Sequence, residues 1–132
     1  MLYNTRIVMT GTKVMVVDDD KDFLDELGET LSLSGYEMIT VNDPSKVLNK
    51  ASEVQPDVIL LDLKMPLVSG FELAAEMKYF PEICGIPIIA ISGFFKDEYS
   101  PLINMCGIKK CLKKPFSPLD VILVIEEVLH SK

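Results

Sequence analysis

The chain has one histidine, His130, and three cysteines, Cys84, Cys106 and Cys111, with no C-x-x-C pair among them. That supply argues against a Cys/His zinc site and against a disulfide framework, and it fits three reduced thiols in an intracellular protein. Long apolar runs are also missing. The mean hydropathy is positive, +0.28, yet the longest candidates, Val58–Leu61 and Ile86–Ile91, fall far below the ~20 residues of a spanning helix. They read as buried strands. The first residues, Met1–Lys13, hold no apolar stretch followed by a small-residue cleavage site, so no signal peptide is expected. Basic residues are outnumbered, 13 against 20 acidic, for a net charge of −7. Nonspecific binding to DNA or to an anionic membrane is therefore disfavoured. Repeats, low-complexity segments and internal linkers are absent.

What remains is 132 residues, 48% hydrophobic and 25% charged, the size and make-up of one globular domain. Residues 1–12 read as an N-terminal extension and 13–131 as the domain. Strand-like and helix-like segments alternate along it. Lys13–Val17 is a short apolar run that stops at Asp18-Asp19-Asp20. Phe23, Leu24, Leu27 and Leu31 then share a helical face, and Gly35 suits its C-terminal cap. Tyr36–Val41 reads as a strand, and Asp43-Pro44 as the cap and first turn of a helix carrying Val47, Leu48 and Ala51.

Val58–Leu61 is a wholly apolar strand ending at Asp62, and Ser69 with Glu72 forms a capping box for a third helix. Ile86–Ile91 reads as the fourth strand, followed by Ser92-Gly93. A less regular helical stretch closes at Gly107, and Pro101 within it predicts a late, short helix. Ile108–Leu112 is the fifth strand. Lys114-Pro115 and Ser117-Pro118 precede a last helix whose apolar face is expected to carry Ile122, Ile125 and Leu129. Five β/α units of this kind predict a parallel sheet covered on both faces.

In such a sheet the ligand site lies beyond the carboxyl ends of the strands. Asp18, Asp19, Asp62, Ser92 and Lys114 all fall there. Asp20 is well placed as a helix cap, but capping does not account for three consecutive carboxylates. A hard divalent cation such as Mg²⁺, held by one or two carboxylates, water and a phosphate oxygen, does account for them. A carboxylate such as Asp62 can act as a nucleophile toward phosphorus, and Ser92 and Lys114 supply a hydroxyl and a cation. Taken singly, Ser92 is a turn hydroxyl and Lys114 a surface amine. The Lys114-Pro115 bond fixes the backbone and is of the type that can be cis, which would aim Lys114 over the sheet edge.

Four motifs in order, V-V-D-D-D (Val16–Asp20), I-L-L-D-L-K-M-P-L-V-S-G (Ile59–Gly70), I-A-I-S-G (Ile89–Gly93) and K-K-P-F (Lys113–Phe116), make the chain resemble the receiver domains of bacterial-type response regulators. The resemblance implies a doubly wound, flavodoxin-like α/β fold with a five-stranded parallel sheet in the order 2-1-3-4-5. It implies Asp62 as phosphoacceptor, with Asp19, Asp62 and the Lys64 backbone carbonyl binding Mg²⁺ and Asp18 acting through water. Ser92 and Lys114 would contact the phosphoryl oxygens. A histidine kinase or histidine phosphotransfer protein would donate the group in the cytoplasm, and a change of conformation would control a partner or output domain.

Departures from the family pattern are expected to matter. Cys111 stands where the family usually has Tyr or Phe, and a small Cys can sit buried but cannot signal by ring reorientation. Lys64 places a cation two residues past Asp62. Phe94, Phe95 and Tyr99 are read either as core or as an aromatic partner patch, and Lys109, Lys110 and Lys113 as solvated lysines lining the output surface. Two other readings share these residue types. A haloacid-dehalogenase-type phosphohydrolase would use Asp18 as nucleophile and Asp20 as acid/base, but lacks later metal carboxylates beyond Asp97 and room for a cap. A degenerate receiver would serve only as an interaction module.

Overall fold

The computed structural model describes residues 11–65, 68–93 and 99–130. Five strands, β1 (Lys13–Val17), β2 (Glu37–Val41), β3 (Val58–Asp62), β4 (Ile88–Ser92) and β5 (Ile108–Lys113), alternate with helices α1 (Lys21–Leu33), α2 (Val47–Val54), α3 (Gly70–Met77), α4 (Ser100–Met105) and α5 (Pro118–Leu129). The strands form one parallel sheet in the order β2-β1-β3-β4-β5. All residues of β3 and β4 are buried, which is why those segments are apolar without alternation. None of the described helices is long and apolar enough to cross a membrane.

Each face of the sheet has its own core. Val14, Val16, Leu60, Ile89 and Ile91 pack under α1 and α5, against Leu24, Leu27, Leu31, Val121 and Ile125. Met15, Val17, Ile59, Leu61 and Ala90 pack under α2, α3 and α4, against Val47, Ala51, Leu73, Ala74, Met77 and Cys106.

Helix starts follow the local chemistry. The Asp20 side chain accepts from the Phe23 N–H at 3.1 Å, capping α1. Asp43 caps the 3-10 turn Pro44–Lys46 that leads into α2. Ser117 and Asp120 exchange both bonds of a capping box at α5. At α3, Glu72 N–H donates to Ser69 Oγ at 3.2 Å, so the cap forms there from Ser69's side. Pro101 sits in the first turn of a six-residue α4, the late, short helix its position predicts, and Gly107 ends it at φ +71°.

Some expectations shift. The second strand begins at Glu37, because Tyr36 N–H still bonds Leu31 O in the turn leaving α1. The fourth begins at Ile88, because Ile86 N–H is used by Ile83 O in the preceding turn. On α5 the wholly buried pair is Val121 and Ile125, spaced one turn apart, while Ile122 and Leu129 flank it half-buried. Cys111 is exposed rather than buried, since β5 is an edge strand with only Ile108 and Leu112 buried.

Candidate functional site

Strands β1, β3, β4 and β5 all end at one edge of the sheet and deliver their last residues together. Asp18 follows β1 with 1% exposure, Asp62 ends β3 with 5%, and Ser92 ends β4 with 2%. Three buried polar residues at a strand edge need partners or a ligand. One carboxylate oxygen each from Asp18, Asp19 and Asp62 lie within 4.8 Å of one another, with Asp19 at the exposed mouth. Hard oxygen donors this close suit a small divalent cation such as Mg²⁺.

Asp18 is held on both oxygens. Its Oδ1 accepts the Asp20 N–H at 3.0 Å, and its Oδ2 accepts from Lys114 Nζ at 2.6 Å. Lys114 reaches it from the far side of the chain: its backbone N–H donates to Ser92 O at 2.8 Å, and the Lys114-Pro115 bond is cis. The Lys114 side chain is only 25% exposed, so this ion pair is partly withdrawn from water and weakly screened.

Asp62 has one such contact, Oδ1 accepting the Lys64 N–H at 3.1 Å. Burial pushes its carboxyl up to about 6, with the Asp18 and Asp19 charges adding to the rise and the Lys64 N–H and Lys114 opposing it. At pH 7 it is still mostly a carboxylate. The strand end is clamped by Leu63 N–H to Ile91 O and Gly70 N–H to Leu63 O, both 3.1 Å. Gly70 lies so close that a Cβ there would overlap the Asp62 carbonyl oxygen.

The residues read from the sequence as a site are therefore brought together: Asp18, Asp19, Asp62, Ser92 and Lys114 share the edge. Asp20 turns outward as the α1 cap. The Lys64 side chain is exposed. Lys109, Lys110 and Lys113 lie on β5 with exposed side chains, Lys113 in register with Ser92, and Lys110 Nζ pairs with Glu127 at 2.8 Å. Phe94 and Phe95 lie outside the described residues; Tyr99 packs edge-to-face on Phe71 at 5.5 Å.

Two contacts went unforeseen in the sequence. The direct pairing of Lys114 with Asp18 joins residues 96 positions apart, and only the fold reveals it. Phe23, read only as part of the apolar face of α1, also faces Lys114, with Nζ 4.1 Å from the ring centroid.

Residues 14–126 match the family model described as the response regulator receiver domain. The polar-differentiation response regulator DivK of Brucella anthropi is 32% identical over 116 residues, 88% of this chain and 94% of that protein. The alkaline phosphatase synthesis transcriptional regulatory protein PhoP of Bacillus subtilis is 31% identical over 89% of this chain and 48% of its own length. The transcriptional regulatory protein PrrA of Mycobacterium tuberculosis is 29% identical over 94% of this chain and 52% of its own length. The chain thus spans about half the length of these two regulators. Among solved structures, the chemotaxis protein CheY4 of Vibrio cholerae superposes with a TM-score of 0.85 at 28% identity, covering 90% of this chain and 99% of that one.

Proposed function

The chain belongs to the response regulator receiver domain family of two-component systems, and on that premise we propose that Asp62 accepts a phosphoryl group from a phosphohistidine donor in a Mg²⁺-dependent reaction. The donor is a histidine kinase or a histidine phosphotransfer protein. The observation that carries the reading is the asymmetry between the two buried carboxylates. Asp18 has both oxygens engaged, one by an ammonium, whereas Asp62 has one hydrogen bond and a raised pKa. Asp62 is the better nucleophile of the two, which also weighs against the phosphohydrolase arrangement with Asp18 attacking.

A carboxylate oxygen of Asp62 bonds to phosphorus as the phosphorus–nitrogen bond to the donor imidazole breaks, its electron pair staying on that nitrogen. The product is an acyl phosphate. The acidic donor set fits a divalent cation; Asp19, Asp62 and the Lys64 carbonyl would hold Mg²⁺ directly and Asp18 would act through water. When bound, the metal supplies positive charge that offsets the crowded carboxylate and phosphoryl oxygens. Ser92 and Lys114 contact the phosphoryl oxygens, Lys114 turning part of its hydrogen bonding from Asp18 toward the new charge.

The added charge at the sheet edge shifts the domain between two conformations. The surface around Cys111, Lys109, Lys110 and Lys113 presents that change to a downstream protein or output domain. The domain takes part in its own phosphorylation and dephosphorylation without a separate substrate. It works in the cytoplasm, and its acidic charge disfavours direct contact with nucleic acid or membrane.

Intact-mass measurement after incubation with acetyl phosphate tests the reading. One added phosphoryl group is expected with Mg²⁺ and none with a chelator, lost in Asp62→Asn and retained in Asp20→Asn. A label that survives Asp62→Asn would overturn the assignment.

A further inference from the structure

We infer that Phe23 is a positioning residue for Lys114, its ring face holding the ammonium over the acidic edge; this rests on the reading of Asp62 as phosphoacceptor. Lys114 Nζ has two neighbours that fix it, Asp18 Oδ2 at 2.6 Å and the Phe23 ring at 4.1 Å from its centroid. A lysine stem has four rotatable carbons, and one carboxylate alone leaves the ammonium free to pivot. The ring face attracts the cation without using up its N–H groups and keeps water from one side. Those N–H groups stay available for a phosphoryl oxygen.

The ring is itself braced. The α1 cap fixes the Phe23 backbone through its N–H to Asp20 Oδ1 at 3.1 Å. Phe116, two residues past Lys114, meets the ring edge-to-face at 6.0 Å and 81°. Asp20, which the metal does not need, thus helps the site by seating Phe23. A purely structural Phe23 would ask only for apolar bulk, so leucine would replace it as well as tyrosine.

The test uses acetyl phosphate with Mg²⁺ as the probe and intact mass as the readout of labelling rate. Phe23→Leu is expected to slow labelling about fivefold, the factor matching a cation–ring attraction of about 1 kcal/mol. Phe23→Tyr, which keeps the ring, stays within about twofold of the wild type. In a Lys114→Gln background Phe23→Leu adds no further loss. Equal slowing by Leu and Tyr, or the same fivefold factor without Lys114, would overturn the inference. An independent readout is the Lys114 ε-methylene NMR signal, identified by its loss in Lys114→Gln. The Phe23 ring current displaces it in the wild type and in Phe23→Tyr, and it returns to the ordinary lysine position in Phe23→Leu. A wild type that takes no label contradicts the phosphoacceptor reading, and the ε-methylene signal then decides the Phe23–Lys114 contact alone: an ordinary lysine shift in the wild type overturns it.

Discussion

The two faces of the sheet are built differently, and the site straddles them. Asp18, Asp19 and Lys114 sit on connections that lead into α1 and α5, helices of 13 and 12 residues with side-chain caps. Asp62 and Ser92 are the last residues of β3 and β4, the strands that lead into α3 and α4, of 8 and 6 residues, and α4 has no side-chain cap. The electrostatics divide along the same line. On the long-helix side the buried charge is paired, Asp18 with Lys114. On the short-helix side the buried charge of Asp62 is uncomfortable, its pKa raised by burial. The edge thus combines a paired buried charge with one whose proton affinity burial has raised.

The largest expected contrast is in packing. Ile125 on α5 is fully buried and Ile103 on α4 only partly so. Ile125→Ala should cost about 4 kcal/mol in urea unfolding and Ile103→Ala about 1 kcal/mol. Equal costs would break the comparison.

Next comes a change of opposite sign. Asp62 holds its proton to about pH 6 in the fold against an ordinary 3.8, so the folded state binds that proton more tightly than the unfolded chain. The resulting penalty is absent below pH 4, grows as pH rises from 4 to 6 and is complete above 6. Asp62→Asn should therefore stabilise the Mg²⁺-free protein at pH 7 by up to about 3 kcal/mol. At pH 3.5 the same substitution should change little. A variant less stable than wild type at pH 7 would contradict this electrostatic account.

The smallest effect sharpens the paired side. Lys114→Met leaves the Asp18 carboxylate buried without its cation and should destabilise the Mg²⁺-free protein by about 2 kcal/mol. That figure is set at the low end because the lysine is a quarter exposed. Millimolar Mg²⁺ should recover part of the loss by mass action, read as a rise in Tm. Stability unaffected by Lys114→Met would mean that the pair contributes nothing to the fold.

Much of this division was legible in the residues. The strands could be read because β3 and β4, buried on both sides, are apolar throughout. Their polar ends, combined with the strand-edge rule, placed the site. Pro101 announced the short α4 through its missing N–H. The rest depended on information a one-dimensional pattern does not hold. Which turn consumes a backbone N–H decided where β2 and β4 begin. Edge position decided that Cys111 is exposed, although an apolar residue follows it at Leu112. The partner of Lys114 lies 96 residues away, and a phenylalanine on an amphipathic helix gives no sign that a cation sits over it.

The most direct test locates the phosphoryl group chemically. An acyl phosphate is reduced by borohydride to an alcohol, so phosphorylation with acetyl phosphate and Mg²⁺, followed by reduction and peptide mapping, should convert residue 62 and no other carboxylate to homoserine. Homoserine at residue 18 or 19, or at none of the three, would contradict the account.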